Sequence, residues 1–186
     1  MKSLICQWFV VAGLAAGASL NALADAPAGQ VDFSKFAQPG KGGEFVEILV
    51  KSNLLSMAAQ IVEKEEPEVA KLLRSVQLVH INVVGLTDDN RSEMEKRVQQ
   101  MRRDLDAQGW ERIVTVQQKG AEDVSIHAKT RGTEALAGLA ITVIDPKDEA
   151  VLINIVGDIK PEQVSALGNG LDIKPLKKVG EALKKK

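Results

Sequence analysis

Between residues 110 and 156 the chain has four short runs rich in valine, isoleucine and threonine, and the gaps between them are mostly too short for a helix. The runs cover 110–118, 123–130, 139–144 and 150–156. Turn-like pieces part them: Lys119-Gly120-Ala121-Glu122, residues 132–138 with a glycine at each end, and Asp145-Pro146-Lys147-Asp148. Parallel neighbours need a crossover of a dozen or more residues, so successive strands here should be antiparallel. The last gap suits a hairpin. Alternation in the second run sends Val124, Ile126 and Ala128 one way and Ser125, His127 and Lys129 the other. One face should meet helices while the other is at least partly wet there. The fourth run is less polarised, because Leu152 and Val156 flank Asn154 opposite Val151, Ile153 and Ile155. It is either a central strand or one whose outer face a partner or the tail covers.

Two more strands are expected upstream, at 44–50 and 78–86. Between them Leu54, Leu55, Ala58, Ile61 and Val62 recur at helical spacing, with Ser52 or Asn53 as cap. Pro67 suits the first turn of a further segment using Val69, Leu72 and Leu73, either a second helix or the first one kinked. A longer helix carries Met94, Val98, Met101 and Leu105. Ser92 and Glu95 have capping-box separation, and Gly109 suits the helix end. Pro161 opens a short last helix carrying Val164. The expected class is α+β, with a mostly antiparallel sheet of about six strands and helices packed mainly on one face.

The N-terminus has a different character. Lys2 precedes an uncharged run at 4–20, and Ala22-Leu23-Ala24 gives the small-residue pattern of a signal-peptidase site. The run is shorter than the ~20 residues that span a bilayer, so cleavage is favoured over a retained anchor. Cys6 precedes most of the apolar stretch, which argues against lipidation there. The expected organisation is a signal peptide at 1–24, a flexible linker at 25–43 in which only Val31, Phe33 and Phe36 can pack, and one domain at 44–186 with a basic tail. The expected location is the periplasm. Removing Lys2 leaves 23 basic against 25 acidic residues, a net charge of −2. Such balance gives no general attraction to nucleic acid or anionic lipid, although the lysine-rich tail could touch phospholipid. No cysteine follows Cys6, so disulfides and thiol chemistry are absent from the exported part.

No residue is nominated as catalytic, cofactor-binding or metal-ligating. His80 and His127 are the only histidines. His80 reads as structural or solvent-facing, and His127 as lying on the wet side of its strand. Thr87-Asp88-Asp89-Asn90 lacks the alternate ligands and internal glycine of a calcium loop and reads as a helix start. Gly157-Asp158 lacks a phosphate-loop pattern, and Gly168-Asn169-Gly170 reads as a turn. Ser92, Ser125 and Ser165 lack a nucleophile-elbow setting. Trp110 reads as a core or corner anchor, and rings are too few for a sugar or single-strand platform.

The chain resembles the family catalogued as domain of unknown function 4252. SNLLSMAAQIVEKEEPEVAKLL at 52–73, VVGLTDDNRSEMEKRV at 83–98 and LDAQGWERIVTV at 105–116 carry the resemblance. It continues through EDVSIHAKTRGTEALAGLAITVIDPKDEAVLINIVGDI at 122–159 and LDIKPLKK at 171–178. It implies an exported envelope protein of a Gram-negative bacterium with an α+β domain, and it supplies no activity, cofactor or site residue.

Two function classes follow. The first is a non-enzymatic domain that binds another envelope protein or a small ligand, without nucleic acid and without a stable transmembrane anchor after cleavage. The alternative is a hydrolase or metal-dependent enzyme whose acids, such as Asp123, Asp145 and Asp158, converge from separate segments.

Overall fold

The computed structural model describes residues 27–36, 43–117, 122–147, 149–160 and 163–164. The four β-rich runs form strands β3 (Glu111–Val116), β4 (Asp123–Arg131), β5 (Ala135–Ile144) and β6 (Glu149–Ile159), each antiparallel to the next. β1 (Phe45–Lys51) and β2 (Val76–Gly85) complete one sheet of order β1-β2-β6-β5-β4-β3. β6 is therefore central, paired to both β2 and β5. The expected α+β class with an antiparallel six-stranded sheet is the observed one.

Pro67 decides the open question upstream. Its missing amide hydrogen suits a helix start, and the chain forms two helices, α1 (Ser52–Val62) and α2 (Pro67–Ser75). The third helix, α3 (Arg91–Ala107), leads from β2 to β3 at the far edge of the sheet. Its 17 residues give roughly 25 Å of rise, enough to cross four strand spacings of about 4.8 Å each. Gly109, at φ +75°, makes the sharp turn that follows.

Two expected caps are corrected. Lys51 occupies the cap position of α1 and makes no side-chain cap bond. Asn90 occupies that of α3, so Ser92 and Glu95 lie inside the helix and form no capping box. Asn90 instead ties the loop together. Its Oδ1 accepts from the Thr87 amide at 2.8 Å and its Nδ2 donates to the Gly85 carbonyl at 3.0 Å.

The sheet carries a core on each face. On one, Met94, Val98, Met101 and Leu105 of α3 join Val84, Ala140, Leu152 and Trp110 in one cluster. On the other, Ile126, Leu139, Ile141, Ile153 and Ile155 cluster with Leu55 of α1 and Leu72 of α2. The longest helix thus lies on the first face, and the short pair contributes to the second.

Part of the segment anticipated as a flexible linker is built into the first core. Val31, Phe33 and Phe36 are all buried there. Asn154 holds the segment, accepting from the Val31 amide at 2.9 Å and donating to the carbonyls of Gly29 at 2.9 Å and Leu139 at 3.1 Å. Two glycines permit the approach. Gly29 sits at φ +97°, and a Cβ on Gly138 would stand 2.5 Å from the Gly29 carbonyl oxygen. Of the two expectations for the apolar outer face of β6, a central strand or a face covered by a partner or the tail, the first is observed: β6 lies between β2 and β5, and Leu152 and Val156 are fully enclosed.

Candidate functional site

The densest polar cluster lies between α3, β3, β4 and β5. Arg102 is buried on α3; its Nε donates to Thr142 Oγ1 at 2.8 Å and its Nη1 reaches both oxygens of Asp123 at 2.9 and 3.1 Å. His127 is completely buried beside it, which corrects the expectation of a wet-side position. Ser125 and Lys129 share its face. The Lys129 ammonium donates to the Gln108 carbonyl at 2.7 Å, satisfying an orphan acceptor at the end of α3. Polar residues on that face suggest water, yet Ser125 and His127 are buried. They are polar because α3 meets it through Arg102 and Asp106 rather than through an apolar stripe.

Ser125, His127 and Asp106 have the composition of a nucleophile triad, but their geometry opposes that chemistry. Ser125 Oγ stands 3.5 Å from His127 Nδ1, and His127 Nε2 lies 3.2 Å from both Arg112 Nε and Asp106 Oδ1. Burial holds the ring below its ordinary pKa; Asp106 opposes that shift, and Arg112 and Arg102 reinforce it. Nε2 is shared between the Arg112 donor and the Asp106 carboxylate, so the ring's tautomer follows whichever of the two it bonds, and the 3.5 Å separation of Ser125 Oγ from Nδ1 is long for a nucleophile–base hydrogen bond. Ser125 is also buried, leaving no path for a substrate. Arg112 and Asp106 form a further ion pair at the cluster's outer side.

The acids considered for an assembled site are not brought together. Asp123 is held by Arg102, and Asp158 pairs with Arg131 at 3.5 Å. Asp123 lies beside Ile144 at one end of β5, whereas Asp158 lies near Leu136 at the other. Asp145 accepts the Lys147 amide in its hairpin at 2.7 Å. Among the described residues no group of three or more histidine, cysteine, aspartate or glutamate side chains could hold a metal. His80 is structural, with Nε2 2.7 Å from Glu47 Oε1 and its ring 5.0 Å from that of Phe33. Gly157 serves a close approach, since a Cβ there would meet the Ser75 carbonyl oxygen at 2.4 Å. Gly168-Asn169-Gly170, Ser165, the basic tail and residues 1–26 lie outside the described residues.

A cleft of about 360 Å³ separates the 30–36 segment from α3. Its charges are mixed, with Asp32 and Asp104 facing Lys35 and Arg97, and several polar groups satisfy one another. Arg97 donates to the Lys35 carbonyl at 2.7 Å, and Gln100 donates to Asp104 at 2.7 Å. Hydrogen bonds from Ser34 hold the Asp32 carboxyl below its usual range. Those bonds fix the turn and leave no convergent set aimed at a ligand.

Among the described residues the exposed large apolar side chains lie on β1 and α1 and, as Ile113 and Val116, on β3. On β1, Val46, Ile48 and Leu49 are exposed, and on α1 so are Leu54, Met57 and Ile61. Leu54 and Ile61 belong to the expected helical stripe, but of α1 it is Leu55 and Ala59 that turn inward. The signal was present: Leu54, Met57 and Ile61 form a second stripe at spacings of three and four. Beside Leu49 and Lys51 an open depression of about 440 Å³ extends toward Leu78 and Val156.

Fold and surface define an α+β domain built on one antiparallel sheet, with a closed polar cluster and, among the described residues, β1 and β3 as its edges. The chain belongs to the family described as Domain of unknown function (DUF4252), whose model matches residues 41–167. No curated protein and no solved structure matches it.

Proposed function

We propose that this is an exported, non-enzymatic interaction domain that binds a protein through the surface formed by β1 and α1. The observation that carries the reading is the concentration of exposed apolar side chains there. Val46 and Ile48 are 50% and 45% exposed, and Met57 and Ile61 are 60% and 81% exposed. Scattered apolar residues are ordinary on a surface, but six on one strand and the helix directly following it mark a contact region. The buried state of Ser125 and His127 and the separation of Asp123 from Asp158 favour binding over hydrolysis. Lys2, the uncharged run at 4–20 and Ala22-Leu23-Ala24 support export to the periplasm. A photo-crosslinking residue at Leu49 or Met57 in intact cells should give protein adducts, and one at Arg103 on the outer side of α3 should not. Absence of adducts from both β1 and α1, or equal adducts from Arg103, would overturn the reading.

A further inference from the structure

Among the described residues β1 is an edge strand, paired only with β2. Five of its seven residues are exposed, and it contains no proline. Long, apolar edges of this kind pair with other strands unless something covers or interrupts them. Its outer hydrogen-bonding row can be assigned. The Gly85 amide donates to the Glu44 carbonyl at 2.8 Å, so Glu44 turns its peptide groups toward β2. The β1–β2 register contains no bulge, and alternation therefore turns Val46, Ile48 and Val50 inward as well. Phe45, Glu47 and Leu49 present their amides and carbonyls outward, and Lys51 presents its amide, its carbonyl being taken by the first turn of α1.

We infer that β1 pairs with β1 of a second copy of this chain, antiparallel and centred on Leu49, fusing two six-stranded sheets into one. This rests on the interaction reading above and names its partner. In a symmetric antiparallel pair, outward-facing residues must oppose outward-facing residues, so the two-fold axis must pass through a residue and not between two. Centring on Glu47 opposes two carboxylates. Centring on Ile48 sets Glu47 against Leu49 and Phe45 against Lys51, which leaves both charges without a cross-strand counterpart. Centring on Val50 sets Lys51 against Leu49. Centring on Leu49 alone sets Glu47 against Lys51, and does so twice. It also places Leu49 on Leu49 and Ile48 on Val50. The only two charges of the strand are thus complementary under one register. Glu47 is available for it, since His80 engages one carboxylate oxygen and the side chain remains 51% exposed. In that register α1, which starts at Ser52, begins opposite Val46 of the other copy and flanks the seam.

The full chain as recovered from cells should sediment as a dimer at micromolar concentration. Glu47→Lys and Lys51→Glu each replace two attractive cross-strand pairs with repulsive ones and should raise the dimer dissociation constant at least about tenfold. The double exchange, E47K with K51E, should restore it to within about threefold of the original, which a merely structural role for Glu47 would not produce. In a Cys6→Ser background, Leu49→Cys should form an intermolecular disulfide on mild oxidation. Directly opposed residues of a hydrogen-bonded pair stand ~5.5 Å apart, inside the ~4.4–6.8 Å disulfide range. Ile48→Cys should not, because its counterpart lies on the longer diagonal. A monomer, a double exchange that fails to restore association, or equal crosslinking from Ile48→Cys would overturn the inference. Leu49 photo-adducts to a different protein, with this chain a monomer, reject self-pairing and leave the interaction reading standing. A monomer without adducts rejects both.

Discussion

Replacing Asn154 with leucine keeps the size of the side chain and removes three buried hydrogen bonds, to Gly29, Val31 and Leu139. Each buried polar group left without a partner costs roughly 1–3 kcal/mol. The 27–36 segment bears most of that loss, because two of the three partners belong to it. Its apolar anchorage is Val31, Phe33 and Phe36, set against the conformational entropy of ordering the segment, so losing the asparagine should release it rather than unfold the sheet. Denaturant unfolding should show a loss of about 2–4 kcal/mol, the part of the penalty that release of the segment does not relieve. Limited proteolysis or hydrogen exchange should show 27–36 becoming labile while β2, β5 and β6 stay protected. Gly138→Ala provides an independent arm. It removes no polar group, yet its methyl would stand 2.5 Å from the Gly29 carbonyl oxygen, and it should release the same segment. A loss below 1 kcal/mol with the segment still protected in both variants would refute the reasoning.

Trp110 is buried against α3 in the first core, so Trp110→Ala should cost about 3–5 kcal/mol in denaturant unfolding through lost transfer energy and an unfilled cavity; a loss under 1 kcal/mol would contradict the core placement. His127 is held below its ordinary pKa in the folded state, so the unfolded chain binds the proton more readily. Its contribution is full above about pH 6.5, the unfolded value, and is lost as pH falls through the depressed folded value. Unfolding free energy measured from pH 7.5 to 5 should therefore fall on acidification, less steeply in His127→Gln, and equal slopes would exclude this role. Intact mass of the exported protein should correspond to a chain beginning at Asp25, and retention of residues 1–24 or a lipid on Cys6 would refute the cleavage site.

The sheet was legible because gap length is a hard constraint. Pieces such as 145–149 cannot hold a crossover, and they fixed antiparallel order without any knowledge of packing. Trp110 was legible because a large ring after a helix-ending glycine has few places to go. The polar face of β4 was not. Alternation reports which residues share a face, and it cannot report whether that face meets water or a helix that brings Arg102 and Asp106 to it. The packing of Val31, Phe33 and Phe36 was hidden for a related reason. Three apolar residues among glycines and prolines make no periodic pattern, and their receptor, Asn154 with Gly138, lies over a hundred positions away. The apolar residues of α1 read as one helical stripe, yet Leu54, Met57 and Ile61 make a second on the exposed side, which spacing alone does not separate from the first.

The strand order has a consequence for how the chain comes to be folded. β2 comes early in the chain, yet its inner neighbour β6 is the last of the described strands. Until β6 joins them, β1 and β2 are a two-stranded ribbon beside two short helices, and the β3–β5 meander lacks its neighbour. The Val31 amide waits for an acceptor 123 positions downstream. Contacts of such long sequence separation slow folding, because the loop entropy is lost before the contacts that offset it form. Closure is therefore a late, single event. Truncation between β5 and β6 leaves two half-sheets, β1–β2 and β3–β5, each with a raw apolar edge where β6 should lie.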